Sequence, residues 1–193
     1  MASPIINNLK ICLTSLAALL LIACSDGSDN YSDGIFRLPG CADSGSCASN
    51  PPLNIGGDRP ATVAIPADYN VNQRYPLIVL LHGRGANGMI QAAYLDLLSR
   101  VDRLKYILVY PDGKRVLNGS PQWCFNPDGC ESTEEPGLIV NDVAYVSTLI
   151  EEAAATYSVD VSRVGLIGHS SGGFMSFSMA CEAPHLVTSI VNL

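Results

Sequence analysis

With 193 residues, 48% of them apolar and 15% charged, the chain has the length and composition of one globular domain with a substantial core, which excludes a disordered segment. Its formal net charge of −7 lacks the excess of Lys and Arg that phosphate backbones call for, so no nucleic-acid partner is expected. No internal repeat is visible.

The chain opens on a targeting pattern. Lys10 supplies a positive n-region, and residues 11–23 form an apolar stretch too short to span a bilayer. The stretch ends in Leu21-Ile22-Ala23-Cys24. Small residues before a cysteine resemble the lipobox of bacterial lipoproteins, in which that cysteine is acylated and becomes the mature N-terminus. Residues 1–23 are therefore expected to be a lipoprotein signal peptide and Cys24 the lipidation site. An ordinary secretory signal is the rival reading. Each buried acyl CH₂ contributes about 0.8 kcal/mol, so several chains on Cys24 would hold the protein on a membrane. The lipobox resemblance implies an exported bacterial lipoprotein, and Ser25 in the next position points to the outer membrane or cell surface. Without acylation the protein is extracellular.

Residues 24–57, rich in Ser, Asp, Gly and Pro, predict a flexible tether. In an oxidising compartment disulfides are permitted, and Cys41 with Cys47 and Cys124 with Cys130 are spaced to close small loops. Cys181 is then left unpaired. A zinc site is the competing use of these thiols, but no histidine lies near either pair at ligand spacing, so no metal is expected.

From residue 58 onward apolar runs alternate with helical patterns. Residues 61–65 predict a first strand, bounded by Pro60 and Pro66 and so near an edge. Residues 76–81 predict a buried strand leading into the glycine-rich loop His82-Gly83-Arg84-Gly85-Ala86-Asn87-Gly88. A stripe at Ala93, Leu97, Val101 and Leu104 predicts a helix over 89–104, and residues 107–110 a strand stopped by Pro111-Asp112-Gly113. Residues 114–136 read as a long loop around Trp123, of a length that usually carries function. Val143, Val146, Ile150, Ala154 and Tyr157 mark another helix; residues 189–193 begin a last strand. This alternation implies right-handed crossovers and a mostly parallel sheet with its ligand at the carboxyl ends of the strands.

Residues 163–175, RVGLIGHSSGGFM, carry the chemistry. A buried strand runs into Gly168-His169-Ser170-Ser171-Gly172, a match to G-x-S-x-G, and then into a helical segment. A serine on a tight strand-to-helix turn lifts its hydroxyl above the sheet, and flanking glycines give the turn room. The next backbone N–H, at the helix N-terminus, points where an oxyanion would form. Ser170 is the candidate nucleophile and Ser171 the first oxyanion donor. The competing reading is an ordinary glycine-rich turn.

Taken with residues 75–83 (YPLIVLLHG), Tyr110-Pro111-Asp112-Gly113 and Asn141-Asp142-Val143, this segment resembles the α/β-hydrolase fold, and more narrowly the polyhydroxybutyrate depolymerase and feruloyl esterase group of secreted esterases. The resemblance covers residues 58–193 and implies the N-terminal portion of a mostly parallel α/β-hydrolase sheet with flanking helices, cut off at about the sixth strand. It implies a serine-dependent carboxylic ester hydrolase needing no cofactor. Its ester substrate is a polyester, a feruloylated or acetylated polysaccharide, or a small ester. The second oxyanion N–H falls on Arg84 or Gly85, and His82 and Trp123 flank the substrate cleft. The family's triad also needs an Asp and a His after the serine. Here no aspartate follows Asp160, and the one later histidine is His185. A helix over 171–182, at about 1.5 Å per residue, carries His185 far out of reach of Ser170. The chain is therefore expected to be a truncated and inactive esterase, or else a surface lipoprotein that keeps the scaffold for binding.

Overall fold

A computed structural model describes residues 38–116, 119–126 and 128–193; the segment expected to be a signal peptide, residues 1–23, and Cys24 lie outside the described residues. The sheet is built from β1 (Asn54–Ile55), β2 (Ala61–Ala64), β3 (Tyr75–Leu81), β4 (Ile107–Tyr110), β9 (Val159–Gly168) and β10 (Ser189–Asn192) in the order β1-β2-β4-β3-β9-β10. β4, β3, β9 and β10 run parallel, while β1 and β2 pair antiparallel. Four short strands, β5 (Lys114–Val116), β6 (Ser120–Gln122), β7 (Cys130–Glu131) and β8 (Ile139–Val140), form two antiparallel pairs between β4 and the next helix. The stretch expected to be a structureless loop is thus two small ribbons.

The central strands are apolar because both faces are covered. Along β3 the side chains alternate. Leu77, Val79 and Leu81 enter the larger core with α4 (Asp142–Thr156) and α5 (Ser171–Glu182), and Leu80 enters a smaller core beneath α2 (Gly88–Tyr94) and α3 (Val101–Leu104). Helix α4 follows the expected stripe, burying Val146, Leu149, Ile150, Ala153 and Ala154. Its N-cap Asn141 accepts the Ala144 N–H at 2.9 Å, a bond whose loss typically costs about 1 kcal/mol.

Three expectations are corrected. Residues 38–57 are not a tether: α1 (Cys41–Ser44) and β1 lie there, and Leu38 and Ile55 are buried in the larger core. The helix over 89–104 is broken. α2 ends at Tyr94, Asp96 takes a left-handed φ of 54°, and a 3-10 turn leads into α3. Ala93 and Leu104, half of the stripe, are exposed. Both expected disulfides form, Cys41–Cys47 and Cys124–Cys130, but Cys181 is disulfide-bonded too and is no lone thiol.

Candidate active site

Ser170 sits between the end of β9 and the start of α5, at φ 52° and ψ −113°, a region that non-glycine residues rarely occupy. Holding a residue there costs of order 1–3 kcal/mol, so the surroundings must enforce it. They do so by close contact. A Cβ on Gly168 would run into the Gly172 carbonyl and Ser176 Oγ, and one on Gly172 into the Leu81 and His82 carbonyls. The two flanking glycines therefore let the helix N-terminus rest directly on the ends of β3 and β9. The Ser170 N–H donates to the Leu193 carbonyl at 2.9 Å and the His169 N–H to that of Leu81 at 3.0 Å. Ser170 itself is exposed while Gly168, Ser171 and Gly172 are buried. As the first residue of α5, Ser171 has an N–H with no intrahelical acceptor.

The glycine-rich loop leaves β3 beside this turn. The Gly83 N–H reaches Gln91 Oε1 at 3.4 Å, the Gly85 N–H donates to the Pro121 carbonyl at 2.8 Å, and the Ala86 N–H to the Gly83 carbonyl at 3.1 Å. Gly85 is thereby removed as a candidate donor. The Arg84 N–H is the amide of this group with no acceptor among the described residues. Gly85, at φ 80°, supplies the left-handed bend that turns the loop.

His82 and Trp123, expected to flank the cleft, are instead fully buried beneath the loop. Trp123 Nε1–H donates to the His82 carbonyl at 2.9 Å. His82 Nε2 accepts the Gly113 N–H at 2.8 Å, so its proton is on Nδ1, which bonds the Gly83 carbonyl at 2.7 Å. Burial, which disfavours the imidazolium, holds the His82 pKa below its ordinary value; the Gly83 carbonyl and Asp112 offset part of this. The unfolded chain takes up this proton near its ordinary pKa of about 6.5, and the fold only at lower pH. The stability due to a neutral His82 is thus present above about pH 6.5 and is lost as pH falls through the folded value, at up to about 1.4 kcal/mol per pH unit. Urea midpoints at about pH 7.5 and about pH 5 should fall more steeply in the wild type than in His82→Gln; equal slopes would exclude His82 as the source.

A polar network missed in the sequence braces this loop from below. Asp142, fully buried at the start of α4, pairs with Arg59 Nη1 at 2.5 Å and accepts the Cys124 N–H at 2.6 Å. The Arg59 guanidinium lies 3.8 Å from the centroid of the Tyr145 ring and donates from Nη2 to the Asp112 carbonyl at 2.8 Å. Asp112 Oδ1 in turn accepts the Gly88 N–H at 2.7 Å. Burial pushes the Tyr145 phenol up to about 12, and the retained proton is donated to the Arg59 carbonyl at 3.0 Å. Asp112 and Asp142 stand in the Tyr110–Gly113 and Asn141–Val143 matches, which mark them out but do not disclose their pairing.

What this turn and loop bring together is an exposed hydroxyl and two uncommitted main-chain N–H groups at the carboxyl ends of adjacent parallel strands. Among the described residues no side chain is hydrogen-bonded to that hydroxyl, and His185 lies in the turn Pro184–Leu186 beyond the far end of α5. Among the described residues no group of three His, Cys, Asp or Glu side chains is placed to hold a metal ion.

The chain is similar to known proteins. The chain is 34% identical over 152 residues to "Probable feruloyl esterase C" of Aspergillus niger, covering 73% of this chain and 49% of that protein. It is 27% identical over 151 residues to "Feruloyl esterase B" of Neurospora crassa, covering 75% and 48%. The chain thus spans about half the length of these curated relatives. Among solved structures, an acetyl xylan esterase from Aspergillus awamori superposes with a TM-score of 0.56 at 16% identity, over 72% of this chain and 51% of that one. A ferulic acid esterase does so with 0.52 at 20%, over 71% and 56%. These likenesses give the fold as that of the α/β-hydrolases. Residues 53–193 match the Esterase family, described as "Putative esterase", and the chain belongs to that family.

Proposed function

We propose that this chain carries the nucleophile half of a carboxylic ester hydrolase of the feruloyl or acetyl esterase type. The observation that carries the reading is Ser170, held exposed in a left-handed turn that only close glycine packing permits. In the mechanism, Ser170 Oγ attacks the ester carbonyl carbon and forms a tetrahedral adduct. The N–H groups of Ser171 and Arg84 donate to its oxyanion, the alcohol leaves, and water then releases the acid. The proton on Ser170 needs a general base; this chain spans about half the length of the relatives it matches, and we propose that a histidine and an aspartate of the full-length protein complete the site. That full-length protein, the extended chain, is the enzyme of this proposal, and turnover without its base is expected to be slow. The feruloyl esterases it resembles support feruloyl esters as substrates, and the superposed acetyl xylan esterase brings acetylated xylan into the same assay. A polyester uses the same acyl transfer and belongs in the same assay.

One assay tests this. The extended chain should hydrolyse methyl ferulate, acetylated xylan or a hydroxyalkanoate polyester; turnover of none of them would reject the reading. We also propose that the protein is an exported lipoprotein anchored through Cys24. Radiolabelled palmitate should enter the wild type and not Cys24→Ala, and labelling that persists in the variant would remove the anchor.

A further inference from the structure

Gly83, in the loop that carries the Arg84 N–H, is hemmed in on every side. Its N–H reaches Gln91 Oε1 at 3.4 Å, and its carbonyl accepts from His82 Nδ1 at 2.7 Å and from the Ala86 N–H at 3.1 Å. Its remaining side faces the nucleophile turn. A Cβ on Gly83 would stand 2.8 Å from His169 Nδ1 and 3.4 Å from Cε1, so the ring occupies the space that a side chain there would take. Glycine is required at this position by that ring and not by a left-handed backbone, since the φ of Gly83 is not positive. His169 is held as firmly from its own end. Its N–H donates to the Leu81 carbonyl at 3.0 Å and its carbonyl accepts the Gly172 N–H at 2.9 Å. Its half-buried ring is backed by Tyr94 of α2, 6.5 Å away between centroids.

We propose that the His169 ring is the spacer between the two oxyanion donors, a positioning residue that sets how far the Arg84 N–H stands from that of Ser171. This rests on the hydrolase reading above. Ser171 follows His169 by two residues on the turn packed against β3 and β9, and Arg84 directly follows Gly83. The Gly83–Arg84 peptide is planar and trans, so its N–H points opposite to its carbonyl. The bonds from His82 and Ala86 to that carbonyl therefore aim the Arg84 N–H, and the ring stops the loop from closing onto the turn. With the ring removed, loop and turn would relax part of the way into the space it leaves. Oxyanion donors work at about 2.7–3.1 Å, and a misplacement of about 1 Å can cost about 100-fold in rate.

Paired substitutions in the extended chain test this. His169→Ala and Gly83→Ala should each lower kcat for methyl ferulate by about 10- to 100-fold, with KM changed less than about threefold, because both displace a donor that acts in the transition state. Combined, they should partly cancel. The added methyl group enters the space left by the ring, and the double variant should exceed the product of the two single losses by about threefold or more. The pairing can also be read without turnover: Gly83→Ala should lower Tm more in the wild type than in His169→Ala. His169→Asn keeps an atom at the Nδ1 position and should restore kcat to within about threefold of wild type, with the same pH profile. Additive losses in either kcat or Tm overturn the proposal. So does a His169→Asn variant as slow as His169→Ala, which would give the imidazole a chemical role in place of a spacing one. A wild type that hydrolyses no ester overturns the hydrolase reading and this inference with it, whereas an active wild type with additive variants overturns the inference alone.

Discussion

Ser170→Ala in the extended chain is expected to lower kcat for ester hydrolysis by about 10⁴-fold or more, the loss typical of removing a serine nucleophile from its triad. The backbone there is left-handed whatever the side chain, so alanine should keep the fold and lose the reaction. Glycine separates the two roles of the position. Ser170→Gly should be equally inactive, yet more stable than the alanine variant by about 1 kcal/mol, because glycine occupies this region without strain. Urea unfolding of the two variants measures the strain, and turnover measures the chemistry. Activity within tenfold of wild type in either variant would exclude Ser170 as the nucleophile.

The second large effect is expected away from the hydroxyl. Asp142→Ala should reduce the unfolding free energy by about 2–4 kcal/mol, since it removes the carboxylate partner of the largely buried Arg59 guanidinium and leaves the buried Cys124 N–H without its acceptor. Arg59 is itself only partly exposed and already stacks on Tyr145, so it cannot easily turn away to solvent. Asp142→Asn should cost less, because an amide oxygen can still accept from Cys124. The injury should also reach the reaction. Segment 121–125 is held at Cys124 by Asp142 and holds Gly85 through Pro121, so loosening one end frees the loop that carries the Arg84 N–H. Chemical denaturation and kcat on the same preparations test both parts. A destabilisation below about 1 kcal/mol would mean that Arg59 finds another partner.

Much of this architecture is legible in the residues. The runs in β3, β4 and β9 are apolar without alternation because helices cover both faces, and the glycines around Ser170 mark a close approach of backbones. The α4 stripe carries the period of a helix with one buried side. What could not be read has definite physical causes. The break after Tyr94 depends on Asp96 adopting positive φ, and the end of α3 on Lys105 doing the same, and neither position carries the glycine that would announce it. The Tyr106 hydroxyl, bonded to the Leu97 carbonyl, pins that break through a contact across the chain. Residues 38–57 look like a linker because polar residues outnumber the few that anchor it, Leu38, Cys41 and Ile55. His82 and Trp123 stand at a strand end, where ligands bind, but each completes its hydrogen bonds inward. Gly85 is excluded as an oxyanion donor only by the carbonyl of Pro121, thirty-odd residues away in the chain and invisible to local pattern.

The two proposed oxyanion amides arise from neighbouring strands, β3 and β9, whose separation is fixed by sheet hydrogen bonding at about 4.8 Å. With no room for a Cβ at Gly172, the helix cannot slide relative to the Leu81 carbonyl. The Ser171 side of the gap that an oxyanion must fit is therefore set by the sheet, while the Arg84 side is held through Gly85 by the Pro121 carbonyl. Changes around residues 128–140 that keep the Pro121 and Cys124 bonds can reshape what enters that gap without moving either amide, so the choice of ester is free to drift as long as those two anchors stay.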